Sequence, residues 1–162
     1  MKKTILFGAI MALYSTFTVA QVNPHAIGIR SGSSNFGGGH EISYQHGFGE
    51  SNRLELDLGF GRHTVLLTSQ ATHATLTGAY HWDFNIVSGF NWFIGPAVQV
   101  GLYNHTSSSL TVGIGGQGGV EFDFNEFDVP ILVGIDARPI WGFTGGTSGL
   151  GYGGSASVRY TF

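Results

Sequence analysis

Apolar and polar residues alternate with a period of two along most of this 162-residue chain. Residues 53–60 show the pattern most clearly and read Arg-Leu-Glu-Leu-Asp-Leu-Gly-Phe. Successive side chains of a β-strand point to opposite faces, so each such segment predicts a strand with one apolar face and one polar or small face. Weaker alternation surrounds Ile27 and Ile42, and the other clear segments lie at 74–84, 90–102, 110–122, 129–135 and 152–162. The sequence therefore predicts an all-β chain of eight strands.

The predicted connections alternate between short and long. The short ones carry the Gly, Asn, Asp and Ser residues of tight hairpins, and they are Phe48–Asn52, Asn85–Gly89 and Asn125–Asp128. The longer ones are polar or Gly-rich, and they are Ser31–Gly39, His63–Thr72, Asn104–Ser109 and Pro139–Gly151. This asymmetry is typical of an antiparallel transmembrane β-barrel in up-and-down meander order, with the short turns on the periplasmic side.

The apolar face of these strands is expected to meet lipid. A soluble barrel would point its apolar face inward and turn a charged face to water. Charged residues form only 10% of this chain, against about 25% of a typical soluble domain. Aromatic residues also gather at the short-turn ends of the strands, as in the interfacial girdle of a membrane barrel. The predicted girdle consists of Trp82, Phe84, Phe90, Trp92, Phe122, Phe124, Tyr160 and Phe162.

The opposite face carries most of the charge. Its predicted members are Arg30, Glu41, Arg53, Glu55, Asp57, His81, Glu121, Asp136, Arg138 and Arg159. Eight strands enclose a lumen that side chains just fill, and buried charges must be paired. We therefore expect an internal network of ion pairs that fixes the strand register. A polar path for protons or small ions, and hence a narrow pore, is the alternative.

The first twenty residues have the organisation of a cleaved export signal. Lys2 and Lys3 precede an apolar run, Ile5–Tyr14, and the small residues Thr-Val-Ala occupy positions 18–20. The apolar run is shorter than the roughly 20 residues that a membrane-spanning helix needs. We expect residues 1–20 to be removed and residues 21–162 to form the barrel.

The charge of the expected mature chain argues against nucleic-acid binding. Lys2 and Lys3 are two of the seven basic residues, so the remaining five basic residues face ten acidic ones, for a net charge of −5. Phosphate binding needs clustered positive charge. The chain also has no cysteine, which excludes thiol catalysis and disulfides.

The end of the last strand carries a further pattern. Phe162 is the last residue of the sequence, and Tyr160 lies on the same face of that strand. This ending resembles the signal by which outer-membrane barrels are recognised for assembly. With the export signal and the eight strands, residues 21–162 resemble the small eight-stranded outer-membrane barrels of Gram-negative bacteria, of the OmpX and OmpA-transmembrane-domain type. The resemblance implies an integral outer-membrane location and recognition by the barrel-assembly machinery through the Phe162 strand.

Two groups of residues could form a metal site or a catalytic site. His40, His63, His73 and His105 lie near the long-loop end but lack metal-ligand spacing, so we expect no metal site and no cofactor. His105-Thr106-Ser107 is similar to the His-x-Ser element of outer-membrane lipid A deacylases, which implies a base and a nucleophile on one face. No residue is identified as the third catalytic member.

The sequence thus favours a non-enzymatic outer-membrane barrel. Such a protein would lie in the lipid bilayer beside lipopolysaccharide, stabilise the envelope, or present its long loops to a protein partner. An enzyme acting on lipid A or phospholipid is a second hypothesis, and the narrow pore is a third.

Overall fold

A computed structural model describes residues 18–19, 22–34, 37–65, 69–104, 108–144 and 148–162. The first six barrel strands are β1 His25–Ser34, β2 Gly37–Gly47, β3 Asn52–Val65, β4 Ser69–Val87, β5 Phe90–Asn104 and β6 Ser108–Asp123. The last two each have two segments, β7 at Ile131–Ala137 and Ile140–Gly142, and β8 at Gly149–Gly151 and Gly153–Thr161. A two-residue strand, Thr18–Val19, pairs with Asn85 and Phe84 of β4.

Each strand pairs antiparallel with the next, and β8 returns to pair with β1. That seam runs from Gly153 opposite Ser34 to Thr161 opposite Ala26. The amide of Phe162 extends it by donating to the carbonyl oxygen of His25 at 3.0 Å. The eight strands therefore form a closed meander barrel, which confirms the predicted fold.

The break in β7 does not shift the strand register. Pro139 has no backbone N–H and cannot donate to the ladder. Its carbonyl oxygen nevertheless accepts a bond from the Gly116 amide at 3.0 Å. Gly115 lies opposite Ile140 and Gly118 opposite Ala137, so the same pairing resumes on both sides of the break. Inward and outward positions of β7 therefore keep alternating through this region.

The predicted long loops are wrong in extent. Ser31–Gly39 and His63–Thr72 are mostly strand, and half of Asn104–Ser109 is strand. Only residues 35–36, 66–68 and 105–107 lie between the strands there. The fourth, Pro139–Gly151, contains two short strand segments. Polar and small residues in a sequence suggest a loop. Two antiparallel strands that continue in register nevertheless gain hydrogen bonds with each added residue, so the strands extend into these segments. We call this end of the barrel the upper end.

The opposite, lower end carries the short turns. Ser88 and Gly89 form a two-residue hairpin loop in which Gly89 has a φ of 70°, a conformation that glycine adopts without strain. The predicted turn at residues 125–128 overlaps a single 3₁₀ turn, Phe124–Phe127. The carboxylate of Asp123 caps it by accepting from the Asn125 amide at 2.9 Å. In the part of the chain that is described, no helix is long and apolar enough to cross a membrane.

The barrel is polar inside and apolar outside. Among the described residues, buried polar side chains outnumber buried apolar ones by nineteen to six. Outward side chains such as Ile29 and Val98 are 63% and 57% exposed. A soluble barrel buries its apolar face, whereas a membrane barrel presents an apolar band to lipid. The arrangement is that of a membrane barrel.

We expect charge to be tolerated differently on the two faces. Leu56 points outward and is 41% exposed, whereas Ser157 points inward and is 4% exposed. Leu56→Arg should lower the free energy of unfolding in lipid vesicles by about 2–4 kcal/mol, because it places a cation against acyl chains. Ser157→Asp, beside Arg159, should lower it less, and Leu56→Ala serves as the size control. If Leu56→Arg inserts normally and Ser157→Asp fails to insert, the assignment of the inward and outward faces is wrong.

Candidate functional site

The side chains predicted for the lumen all project from inward positions of the barrel. Arg53, Glu55 and Asp57 follow one another at two-residue spacing on β3, so they line one wall in a row. Nine of the ten residues are buried, and Glu41 is partly exposed at the upper edge of the cluster. The lumen charges form three connected groups along the barrel axis.

The upper group is built around Arg30 and Arg138. Nε of Arg30 donates to Oδ2 of Asp136 at 3.0 Å and its Nη2 to Oδ1 at 2.5 Å, a two-pronged ion pair. The remaining nitrogen of Arg30 contacts Glu41, the residue opposite it on β2. Arg138 reaches the same carboxylate at 3.2 Å and also contacts Asp57. Two guanidinium groups therefore bridge three carboxylates.

The middle group is centred on Glu55, whose side chain is 0% exposed. Its carboxylate accepts from Nη2 of Arg159 at 2.9 Å, from Gln45 at 2.6 Å and from Gln117 at 2.9 Å. Arg138 adds a fourth contact at 3.4 Å. Such charge-assisted bonds are among the stronger ones in proteins, and they offset the cost of burying the carboxylate.

The lower group joins Arg53 to two acids. Its nitrogens donate to both oxygens of Glu121, at 2.6 and 2.8 Å, and Nη2 lies 3.2 Å from Asp83. The guanidinium also lies over the ring of Phe93, 4.7 Å from its centroid. Nδ1 of His81 lies 3.5 Å from Nε of Arg53, at the outer limit of a hydrogen bond.

Asp83 is a lumen residue that the list of predicted lumen residues omits, although the strand alternation indicates it. It follows inward His81 at the two-residue spacing of β4, and it is buried. With Asp83 included, the four lumen arginines face six carboxylates, so the interior carries an excess of two acidic groups if all are ionised.

The charged groups separate two cavities. The upper cavity has a volume of about 90 Å³, and Arg30, Glu41, Gln99, Tyr103 and Arg138 contribute to its walls. The lower cavity measures about 10 Å³, which is at the limit for a single water molecule. Glu55, Gln117 and Arg159 lie between the two levels and are buried. Chemically, the arrangement is a plug of paired side-chain charges across the lumen, with more carboxylates than guanidinium groups.

The aromatic residues predicted for the girdle lie on the outside of the lower end. Trp82, Tyr160 and Phe162 are exposed, and the other five are half-buried. The half-buried members pack on one another; for example, the rings of Phe84 and Trp92 stack with centroids 4.4 Å apart. The girdle therefore consists of packed aromatic pairs near the short turns.

The two upper-end histidines whose side chains the structure describes are not brought together. His40 faces outward, where its Nδ1 and the Ser31 hydroxyl share a hydrogen bond of 2.7 Å, whereas His73 points inward and stacks on Tyr103 at 5.2 Å. The side chain of His63 and the whole segment 105–107, with its His-x-Ser element, lie outside the described residues. Within the described ranges, no three histidine or acidic side chains form a group that could hold a metal ion.

We expect the lumen charges to be interdependent. Arg138 contacts Glu41, Glu55 and Asp57, so Arg138→Met should destabilise the barrel by about 3–5 kcal/mol, the cost of uncompensated buried charge. Adding Asp57→Asn should recover part of that loss. Glu50→Gln removes an exposed charge and should change stability by less than about 0.5 kcal/mol. Urea unfolding in vesicles measures all three, and equal effects of Arg138→Met and Glu50→Gln would contradict the network.

Comparison with known proteins identifies the fold. No family model matches the sequence, and no curated protein is significantly similar to it. Neisserial surface protein A (NspA) superposes with a TM-score of 0.63 at 18% identity, over 85% of this chain and 95% of that one. The N-terminal β-barrel domain of Pseudomonas aeruginosa OprF gives a TM-score of 0.55 at 15% identity, over 87% and 100%. Ail, the attachment invasion locus protein of Yersinia pestis, gives 0.53 at 10%, over 85% and 96%. The chain therefore has the fold of the small eight-stranded outer-membrane barrels.

Proposed function

We propose that this chain is a non-enzymatic integral protein of the bacterial outer membrane, which residues 1–20 direct for export and which presents its upper end to the cell exterior. The observation that carries the proposal is the filled lumen. Glu55 and Arg159 lie in a buried hydrogen-bonded layer between the upper cavity and the lower cavity. The interior thus stabilises the barrel and fixes the strand register, and the outer surfaces bind lipid and any partner.

The lower aromatic girdle has a role in the same proposal. Tyr and Trp prefer the boundary between acyl chains and headgroups, so this ring sets the depth of the barrel in the bilayer, with lipopolysaccharide around the upper end. The strand that ends in Phe162 pairs with β1 in the closed barrel. Before closure its edge is available to the barrel-assembly machinery.

The upper end offers an apolar surface for a partner. Trp141 lies opposite Leu150 across β7 and β8, and Phe143 and Tyr152 lie close by in sequence. All four are exposed. NspA is named as a surface protein and Ail as an attachment protein, which supports a role in surface contact.

The charge of the chain narrows the chemistry of that partner. Ail has been crystallised with sucrose octasulfate, a heparin analogue. In this chain four of the five arginines outside residues 1–20 are buried in the lumen, and Arg62 is the fifth. A polyanion needs clustered exposed cations, so we expect a neutral partner recognised through aromatic contacts and hydrogen bonds.

The contacts of Glu121 weigh against the enzyme hypothesis. It is the first acid downstream of the His-x-Ser element, yet it lies in the lower group and both of its oxygens bind Arg53. A catalytic carboxylate must instead lie within hydrogen-bonding distance of the histidine it orients.

Three strains test the proposal: one lacking the chain, one expressing the wild type, and one expressing it with His105→Ala and Ser107→Ala. We expect identical lipid A mass spectra in all three. We also expect the first strain alone to show increased dye entry through its envelope or reduced attachment to surfaces. Loss of an acyl chain from lipid A in the wild type, absent in the substituted strain, would overturn the proposal in favour of the enzyme.

A further inference from the structure

Two histidines face each other on the outer surface at the lower end of the barrel, away from the lumen. His25 begins β1 and His46 lies opposite it near the end of β2. Their Nδ1 atoms are 3.3 Å apart. The hydroxyl oxygen of Tyr44, which is two residues before His46 on the same face, lies 2.9 Å from Nδ1 of His25. Nδ1 of His25 thus has two further possible metal donors within 3.3 Å.

Hydrogen bonding alone accounts poorly for this arrangement. An imidazole nitrogen carries either one proton or one lone pair in the plane of the ring. Nδ1 of His25 nevertheless has two hydrogen-bonding partners, one from His46 and one from Tyr44. A single cation between the donors would engage all of them at once.

The distances agree with metal coordination. With Zn–N bonds of about 2.05 Å, two nitrogens at a tetrahedral angle lie about 3.3 Å apart. This is the separation of His25 Nδ1 from His46 Nδ1. The Tyr44 hydroxyl lies closer to His25 Nδ1, at 2.9 Å, and would move outward to coordinate the same ion. We propose that His25 and His46 form a binding site for a divalent transition-metal ion such as Zn²⁺ or Cu²⁺, with Tyr44 as the third donor and water completing the coordination.

The surroundings hold both rings in place. The ring of His25 stacks on Phe162 at 5.3 Å, and the ring of His46 meets the edge of Phe48 at 4.8 Å. On the backbone, the amide of Gly47 donates to the carbonyl of Pro24 at 3.0 Å. Both histidines are half-buried, so part of each ring is not covered by the rest of the protein. Little ordering is therefore needed on binding.

Binding requires a change of protonation but no redox step. Each imidazole binds the ion through the Nδ1 lone pair, so a proton on that atom is released to solvent or the neutral ring carries its proton on Nε2. Tyr44 coordinates through an oxygen lone pair and keeps its phenol proton. Imidazole nitrogens generally bind Cu²⁺ with higher affinity than Zn²⁺. With two histidines and no carboxylate among the donors, we expect moderate affinity.

Calorimetric titration with Zn²⁺ tests the site, using chain without a histidine tag in detergent micelles. We expect one ion per wild-type chain. His25→Gln and His46→Gln should each weaken binding by more than about tenfold, because each removes one of two imidazole ligands. Tyr44→Phe should weaken it less. His40→Gln is the matched control, since His40 also lies on the outer surface but pairs with Ser31 at the other end.

A second measurement needs no variant, so it tests the metal site even if the substituted chains fail to fold. The electron paramagnetic resonance spectrum of Cu²⁺ with the wild-type chain should show coupling to two imidazole nitrogens. The proposal is overturned if Cu²⁺ gives the spectrum of the hydrated ion. It is also overturned if folded His46→Gln binds Zn²⁺ as tightly as the wild type does.

Discussion

The hydrocarbon of a membrane offers no hydrogen bonds, and the rest of this structure depends on that constraint. Every backbone amide and carbonyl at membrane depth must find a partner in the chain, so an open sheet edge is not tolerated. The pairing of β8 with β1, from Gly153 to Thr161, removes both edges. The same constraint applies to charge. Arginines and carboxylates at this depth are stable only inside the barrel and only beside each other.

Some of the glycines follow from close packing in the barrel wall. A Cβ on inward Gly59 would lie 2.5 Å from the Thr75 hydroxyl and 3.1 Å from a side-chain carbon of Glu41. At Gly95 a Cβ would lie 1.7 Å from the carbonyl oxygen of Tyr80, in the backbone of the neighbouring strand. Gly59 therefore leaves space for a charged lumen side chain, and Gly95 allows two strands to approach each other.

Period-two alternation was sufficient to predict the strands, the meander and the face of each side chain, because these depend on local geometry. The same alternation also places Asp83 on the inward face, two residues after His81. It could not predict that Arg53 binds Glu121, 68 residues away, because that contact depends on how the closed barrel brings opposite walls together. The pairing of His25 with His46 depends likewise on the register of β1 and β2. The long loops were overestimated because polar hairpin arms and loops have similar compositions.

The central claim is that paired charges seal the lumen of a closed barrel. Single-channel recording on the purified wild-type chain in planar lipid bilayers tests it most directly, with a wide porin as the positive control. Because Glu55, Gln117 and Arg159 form a buried layer between the two cavities, we expect insertion without stepwise conductance. A steady conductance that scales with the salt concentration would show a continuous aqueous path and would contradict the claim.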